Sequence, residues 1–68
     1  MKEISINTEF IKLDSLLKWC GAVTLGSEAK MYILNGDVKV NGTVELRRGK
    51  KIYKGDSVEF QNEVYKIV

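Results

Sequence analysis

Apolar positions along the chain change period once, near Gly36. In "LDSLLKWCG", Leu13, Leu16, Leu17 and Cys20 fall at i, i+3, i+4 and i+7, the spacing that places them on one face of a helix. Asp14 in the first turn suits the positive end of the helix dipole, and Gly21 supplies a stop. A second short helix follows in "LGSEAKMYILNG", with Ser27 as N-cap, Glu28 in the first turn and an apolar row of Ala29, Tyr32 and Ile33. Asn35-Gly36 is a favoured pair for its C-terminal end. Two helices joined by a short loop, each with one apolar stripe, predict a helical hairpin.

Beyond Gly36 the period becomes two. Val38 and Val40 alternate with polar neighbours, Asn41-Gly42 is a strong hairpin-turn signal, and Val44 and Leu46 alternate again. A two-residue turn would set Val40 opposite Thr43 and Lys39 opposite Val44, throwing the valines of the two arms onto opposite faces. The pattern therefore predicts a bulge or a longer loop near Gly42, and a second arm that leaves the sheet early. Strands are predicted around Val58–Phe60 and Val64–Val68, bracketed by turns at Lys54-Gly55-Asp56 and Gln61-Asn62. Alternation in "EISI" adds a short N-terminal strand able to pair with the C-terminal one. The organisation is α+β: two helices and a small, mostly antiparallel β-sheet, within one domain spanning residues 1–68.

Size narrows what can hold such a domain together. A chain of 68 residues buries only about 60% of the surface its unfolded form exposes. One cysteine and no histidine leave no internal disulfide and no zinc set, so packing alone carries the fold. The N-terminal segment lacks the apolar run and small-residue cleavage site of a signal peptide, no apolar stretch approaches the roughly 20 residues needed to cross a bilayer, and an unpaired cysteine suits a reducing compartment. A cytoplasmic protein with no membrane contact is expected.

Charge becomes informative only when mapped. Between Lys39 and Lys54 lie Lys39, Arg47, Arg48, Lys50, Lys51 and Lys54 against the single acid Glu45, a local balance of +5; the rest holds five bases and eight acids, or −3. The formal net charge of +2 hides this bipolar distribution. A ligand feels the local potential within about a Debye length, roughly 8 Å at physiological salt, so the basic segment rather than the net charge argues for a polyanion-binding face. Arginine presents a fork for two phosphate oxygens and lysine a mobile point charge. A solvated loop kept polar for solubility, or a nuclear-localisation-like run, fits the same residues.

Other chemistry finds little support. Without histidine, the usual triads and imidazole acid/base catalysis lose their residues. Cys20 lies on the apolar stripe at a helix C-terminus, where the dipole disfavours a thiolate, so a structural role is expected. The glycines match neither phosphate-loop pattern, and the acids are scattered singly; no enzyme activity, cofactor or metal is expected. Tyr53 could stack on an unpaired base, but its strand-like setting favours packing. Trp19 could likewise flank the first helix as a stacking surface, but a partly buried aromatic is the safer expectation.

The ordered residues Leu13-Asp14, Leu17, Gly21, Ala29, Ile33, Gly36, Val38, Val40-Asn41-Gly42 and Gly55-Asp56 resemble the S-four RNA-binding domain, the module named after small-subunit ribosomal protein four. The resemblance covers residues 12–60. The short form with a glycine before the second helix and "RRGKK" after the hairpin is similar to the stand-alone YaaA/YbcJ-like subfamily. It implies an αL motif: two helices packed on a small sheet, with the helix pair and the nearby hairpin forming a face for structured RNA. The basic contact positions it implies are Lys12, Lys18 and Lys30, with Asn41 and Gly42 shaping the hairpin and Lys39, Arg47, Arg48, Lys50, Lys51 and Lys54 extending the surface. Lys12 stands where many members carry arginine, and Leu25-Gly26 where many carry Ser-Arg, which shifts affinity towards the basic loop, pictured as the flexible half of the grip.

The resemblance thus implies a non-catalytic, monomeric RNA-binding protein acting on structured ribosomal RNA or in ribosome assembly, with ribosomal proteins as possible neighbours. The alternative is a protein-interaction module whose basic loop docks an acidic partner surface, anchored by residues around Trp19 and Met31.

Overall fold

The computed structural model describes residues Met1–Val68. Its elements in chain order are β1 (Lys2–Ile4), β2 (Phe10–Lys12), α1 (Leu13–Trp19), α2 (Gly26–Leu34), β3 (Val38–Val40), β4 (Thr43–Val44), β5 (Lys51–Tyr53), β6 (Ser57–Phe60) and β7 (Glu63–Ile67). Five strands form a sheet in the order β1-β7-β6-β3-β4, in which only the β1-β7 pairing is parallel. β2 and β5 form a separate antiparallel ribbon. The α+β arrangement, two helices on a mostly antiparallel sheet, is the one expected.

Helices of 7 and 9 residues are too short to stand alone in water, so they are held by what they bury. Leu13, Leu16 and Leu17 of α1 and Ala29 and Ile33 of α2 are fully shielded, against Val38, Val58, Phe60 and Ile67 on the inner face of the sheet. Tyr32 meets Phe60 edge-on, with ring centroids 5.0 Å apart. Both helices end in the same way. The Gly21 amide donates to the Lys18 carbonyl and the Ala22 amide to the Leu17 carbonyl; Gly36 and Asp37 repeat the pattern on Ile33 and Tyr32. Gly21 and Gly36 take the left-handed conformation this ending requires, with φ of 79° and 82°.

Two expectations are corrected. The N-cap of helix α2 lies two residues before Ser27, at Leu25. A leucine side chain has no acceptor, and the Glu28 carboxylate supplies the cap instead, accepting from the amides of Leu25 (3.0 Å) and Thr24 (3.2 Å). The hairpin at Asn41-Gly42 contains no bulge. It is a two-residue turn with φ of 51° and 84°, pairing Val40 with Thr43 and Lys39 with Val44. The face conflict is settled by the second arm, which keeps only two residues in the sheet and leaves Val44 exposed while Val38 and Val40 face the core. Its early departure was expected.

Asn41 explains why the tight turn is favoured. Its side-chain amide donates to Asp56 Oδ1 (3.1 Å), while its Oδ1 accepts from the Ser57 amide (3.0 Å); Asp56 Oδ2 in turn accepts from the Tyr53 amide (2.8 Å). Two turns distant in sequence are thereby stapled together. Asn41→Ala removes the staple and places alanine in a left-handed conformation, an expected loss of about 1–3 kcal/mol, read as a lowered urea midpoint at unchanged slope.

Candidate nucleic-acid interface

The interface starts from the first turn of α1, whose amide groups have no partners within the helix. The N-cap is Lys12, which makes no side-chain cap. The basic loop does the capping: the Leu13 amide donates to the Lys50 carbonyl (2.9 Å) and the Asp14 amide to the Arg48 carbonyl (3.1 Å). With these two carbonyls held against the helix, the loop is tied in place, which corrects the picture of a flexible loop. Arg48 and Lys51 remain exposed, and Lys50 is half-buried.

The ribbon completes the fixation. Ile11 pairs with Ile52, which is fully buried, so by the two-residue period the neighbouring pairs Phe10-Tyr53 and Lys12-Lys51 share the outward face. Lys51 Nζ lies 4.8 Å from the centre of the Phe10 ring, and the Phe10 and Tyr53 ring centres are 5.9 Å apart. Two lysines and two aromatic rings thus sit together next to Arg48 and Lys50. A hollow beside them is lined by Arg47, Gly49, Lys50, Lys51 and Tyr53. Tyr53 is 42% exposed, more open than its strand-like setting predicts.

Arg47 behaves differently. Its Nε donates to Glu45 Oε2 at 3.0 Å and its main-chain amide to the same oxygen at 3.1 Å. The guanidinium holds the Glu45 carboxyl below the usual carboxylate range, and Glu45 in turn raises the arginine. Part of the loop's positive charge is therefore answered within the protein.

The remaining positions are spread around this centre. Lys18 lies in the last turn of α1, its stem beside Gly26 at the start of α2. Lys30 is exposed on α2 and Lys54 in the turn after β5. Lys39 points to the outer face of the sheet, across from Glu59 and beside Asp37. Asn41 is occupied by Asp56 and Ser57 and acts by shaping its turn. Cys20 caps α1, its thiol bonded to the Leu17 carbonyl (3.6 Å) and pushed up by burial.

Two features escape the sequence. Strand β2 is three residues long and pairs with β5, about 40 residues away along the chain; its only signal is Ile11 between Phe10 and Lys12. Trp19, expected to be partly buried, is 65% exposed, its indole N–H donating to the Ser5 carbonyl (3.2 Å).

The sequence and the fold have known relatives. The chain is 41% identical over 58 residues, 85% of its length and 82% of the relative's, to the "Probable ribosome maturation protein RlbA" of Bacillus subtilis (strain 168). It is 40% identical over 58 residues, 85% of its length and 83% of the relative's, to YbcJ of Escherichia coli (strain K12). The solution structure of YbcJ from E. coli, described as revealing an αL motif involved in RNA binding, superimposes with a TM-score of 0.76 at 36% identity, covering 100% of this chain and 87% of that one. The S4 domain family matches residues 4–68, and the chain belongs to that family.

Proposed function

We propose that residues 1–68 form a single, monomeric, non-catalytic RNA-binding domain that contacts structured ribosomal RNA in the cytoplasm, during ribosome assembly. The observation that carries this reading is the convergence of Lys12, Arg48, Lys50 and Lys51 at the first turn of α1, fixed by the bonds from Leu13 and Asp14 to the loop carbonyls. Cations held on a rigid frame suit an A-form duplex, whose major groove is closed to side chains and which is read through phosphates and 2′-hydroxyls. The names of the relatives point the same way. The non-catalytic part of the reading is supported by relatives named for RNA binding and ribosome maturation and by a chain without histidine.

With about three to five phosphates neutralised, log K for a structured RNA falls against log salt with a slope of about −2 to −4.5. Filter binding over a salt series measures it. A flat salt response, together with protein partners recovered from cells after nuclease treatment, would instead support docking of an acidic protein surface.

A further inference from the structure

Trp19 is the only tryptophan of the chain, and its environment is unusual for so large an apolar ring. It stands 65% exposed on the last turn of α1, yet it is not loose, because its indole N–H is bonded to the Ser5 carbonyl. Beside it lie two adjoining shallow hollows that share Ile11, Ser15 and Trp19 in their linings, one of them also lined by Ile6. Asn7 and Ser15 add polar groups to the lining, and the Asn7 side chain has no partner within the protein. Lys12 borders one hollow and Lys18 the other, and no acid lines either.

From this arrangement we infer that the hollows beside Trp19 receive a single unpaired nucleobase of the bound RNA. The inference rests on the RNA-binding reading and deepens it by assigning the ligand's form. An aromatic ring fixed at the surface offers a stacking face without the cost of ordering a mobile side chain, and stacking on such a ring requires a base that has left the helical stack. The amide of Asn7 and the hydroxyl of Ser15 in the lining match the hydrogen-bonding edge of a base. The two lysines match the phosphates on either side of it, and the absence of acids keeps the approach favourable for a polyanion. Lys12 also belongs to the ribbon face with Lys51, so its hollow continues the phosphate-binding surface. A duplex held on the basic loop would place a bulged or loop nucleotide beside it.

The lone tryptophan is its own reporter. The full chain is titrated with two labelled RNAs: a hairpin ending in an unpaired loop, and the same stem as a blunt duplex. Label anisotropy reports binding and Trp19 emission reports stacking. The hairpin is expected to quench Trp19 and the duplex to leave it unchanged. Trp19→Ala is expected to weaken hairpin binding by about fivefold to 150-fold, the range for one lost base stack, without weakening duplex binding, and Trp19→Phe to recover most of the loss. Circular dichroism of both variants checks that the fold is kept. Hairpin binding with silent Trp19 emission, or equal hairpin affinity for Trp19→Ala, overturns the stacking site and leaves RNA binding standing. Failure of both RNAs to bind overturns the RNA reading and the site with it. Emission that responds to a poly-glutamate peptide and not to RNA also overturns it, assigning the hollows to an acidic protein.

Discussion

Replacing Arg47, Arg48, Lys50 and Lys51 together by alanine is expected to lower affinity for structured RNA about a hundredfold at physiological salt. The magnitude follows from counterion release. Each neutralised phosphate contributes about 0.7 to 0.9 to the salt slope, so losing about three contacts near 0.15 M salt removes a factor of about a hundred. Three rather than four is the appropriate number because Arg47 is already paired with Glu45 at 3.0 Å. The salt slope should fall by about two to three units in the same variant. Folding should survive, because the loop caps α1 through the main-chain carbonyls of Arg48 and Lys50, which alanine retains. Binding curves over a salt series, with circular dichroism as the control, provide the measurement. A folded variant that binds as tightly as the parent would remove the basic loop from the interface.

Phe60→Ala is expected to leave the protein largely unfolded at room temperature. Phe60 is among the largest fully buried side chains, 1% exposed, and it joins the sheet to α2 through its edge contact with Tyr32. Truncating a buried phenylalanine costs about 3–5 kcal/mol. A core in a domain of this size rarely supplies more than about 3–5 kcal/mol of net stability, and one free cysteine provides no cross-link to make up the difference. Urea titration followed by far-ultraviolet circular dichroism should show the variant without a folded baseline, against a cooperative transition for the parent. A parental midpoint would mean that the sheet and helices are held by something other than this contact.

The parts of the fold that sequence reveals are those whose pattern is local. Leu13, Leu16 and Leu17 declare α1 through spacing alone, and Gly21 and Gly36 mark its end and that of α2 because both endings require a left-handed residue. The hairpin was half legible. Alternation exposed the face conflict between Val40 and Val44, but a bulge and a truncated arm relieve it equally well on paper. The staple from Asn41 to Asp56 and Ser57 favours the tight turn, and no local pattern announces a bond across 15 residues. For the same reason the β2-β5 ribbon stayed hidden. The basic cluster could be read from charge, whereas its attachment to α1 could not, since main-chain carbonyls leave no trace in residue identity. Trp19 departs from expectation because aromatic rings are usually buried, whereas this one lies outside with its indole N–H on the Ser5 carbonyl.

The facing of Lys12 and Lys51 across the ribbon sets the binding surface against the fold. Like charges directly opposite on paired strands repel, and only the lean of Lys51 over Phe10 softens the conflict. A polyanion laid across both lysines turns that repulsion into attraction, so the occupied protein is more resistant to heat than the empty one. The converse holds for engineering: substitutions chosen for thermal robustness alone would tend to erase one of these lysines, and the hardiest variants of this small domain would be its poorest binders.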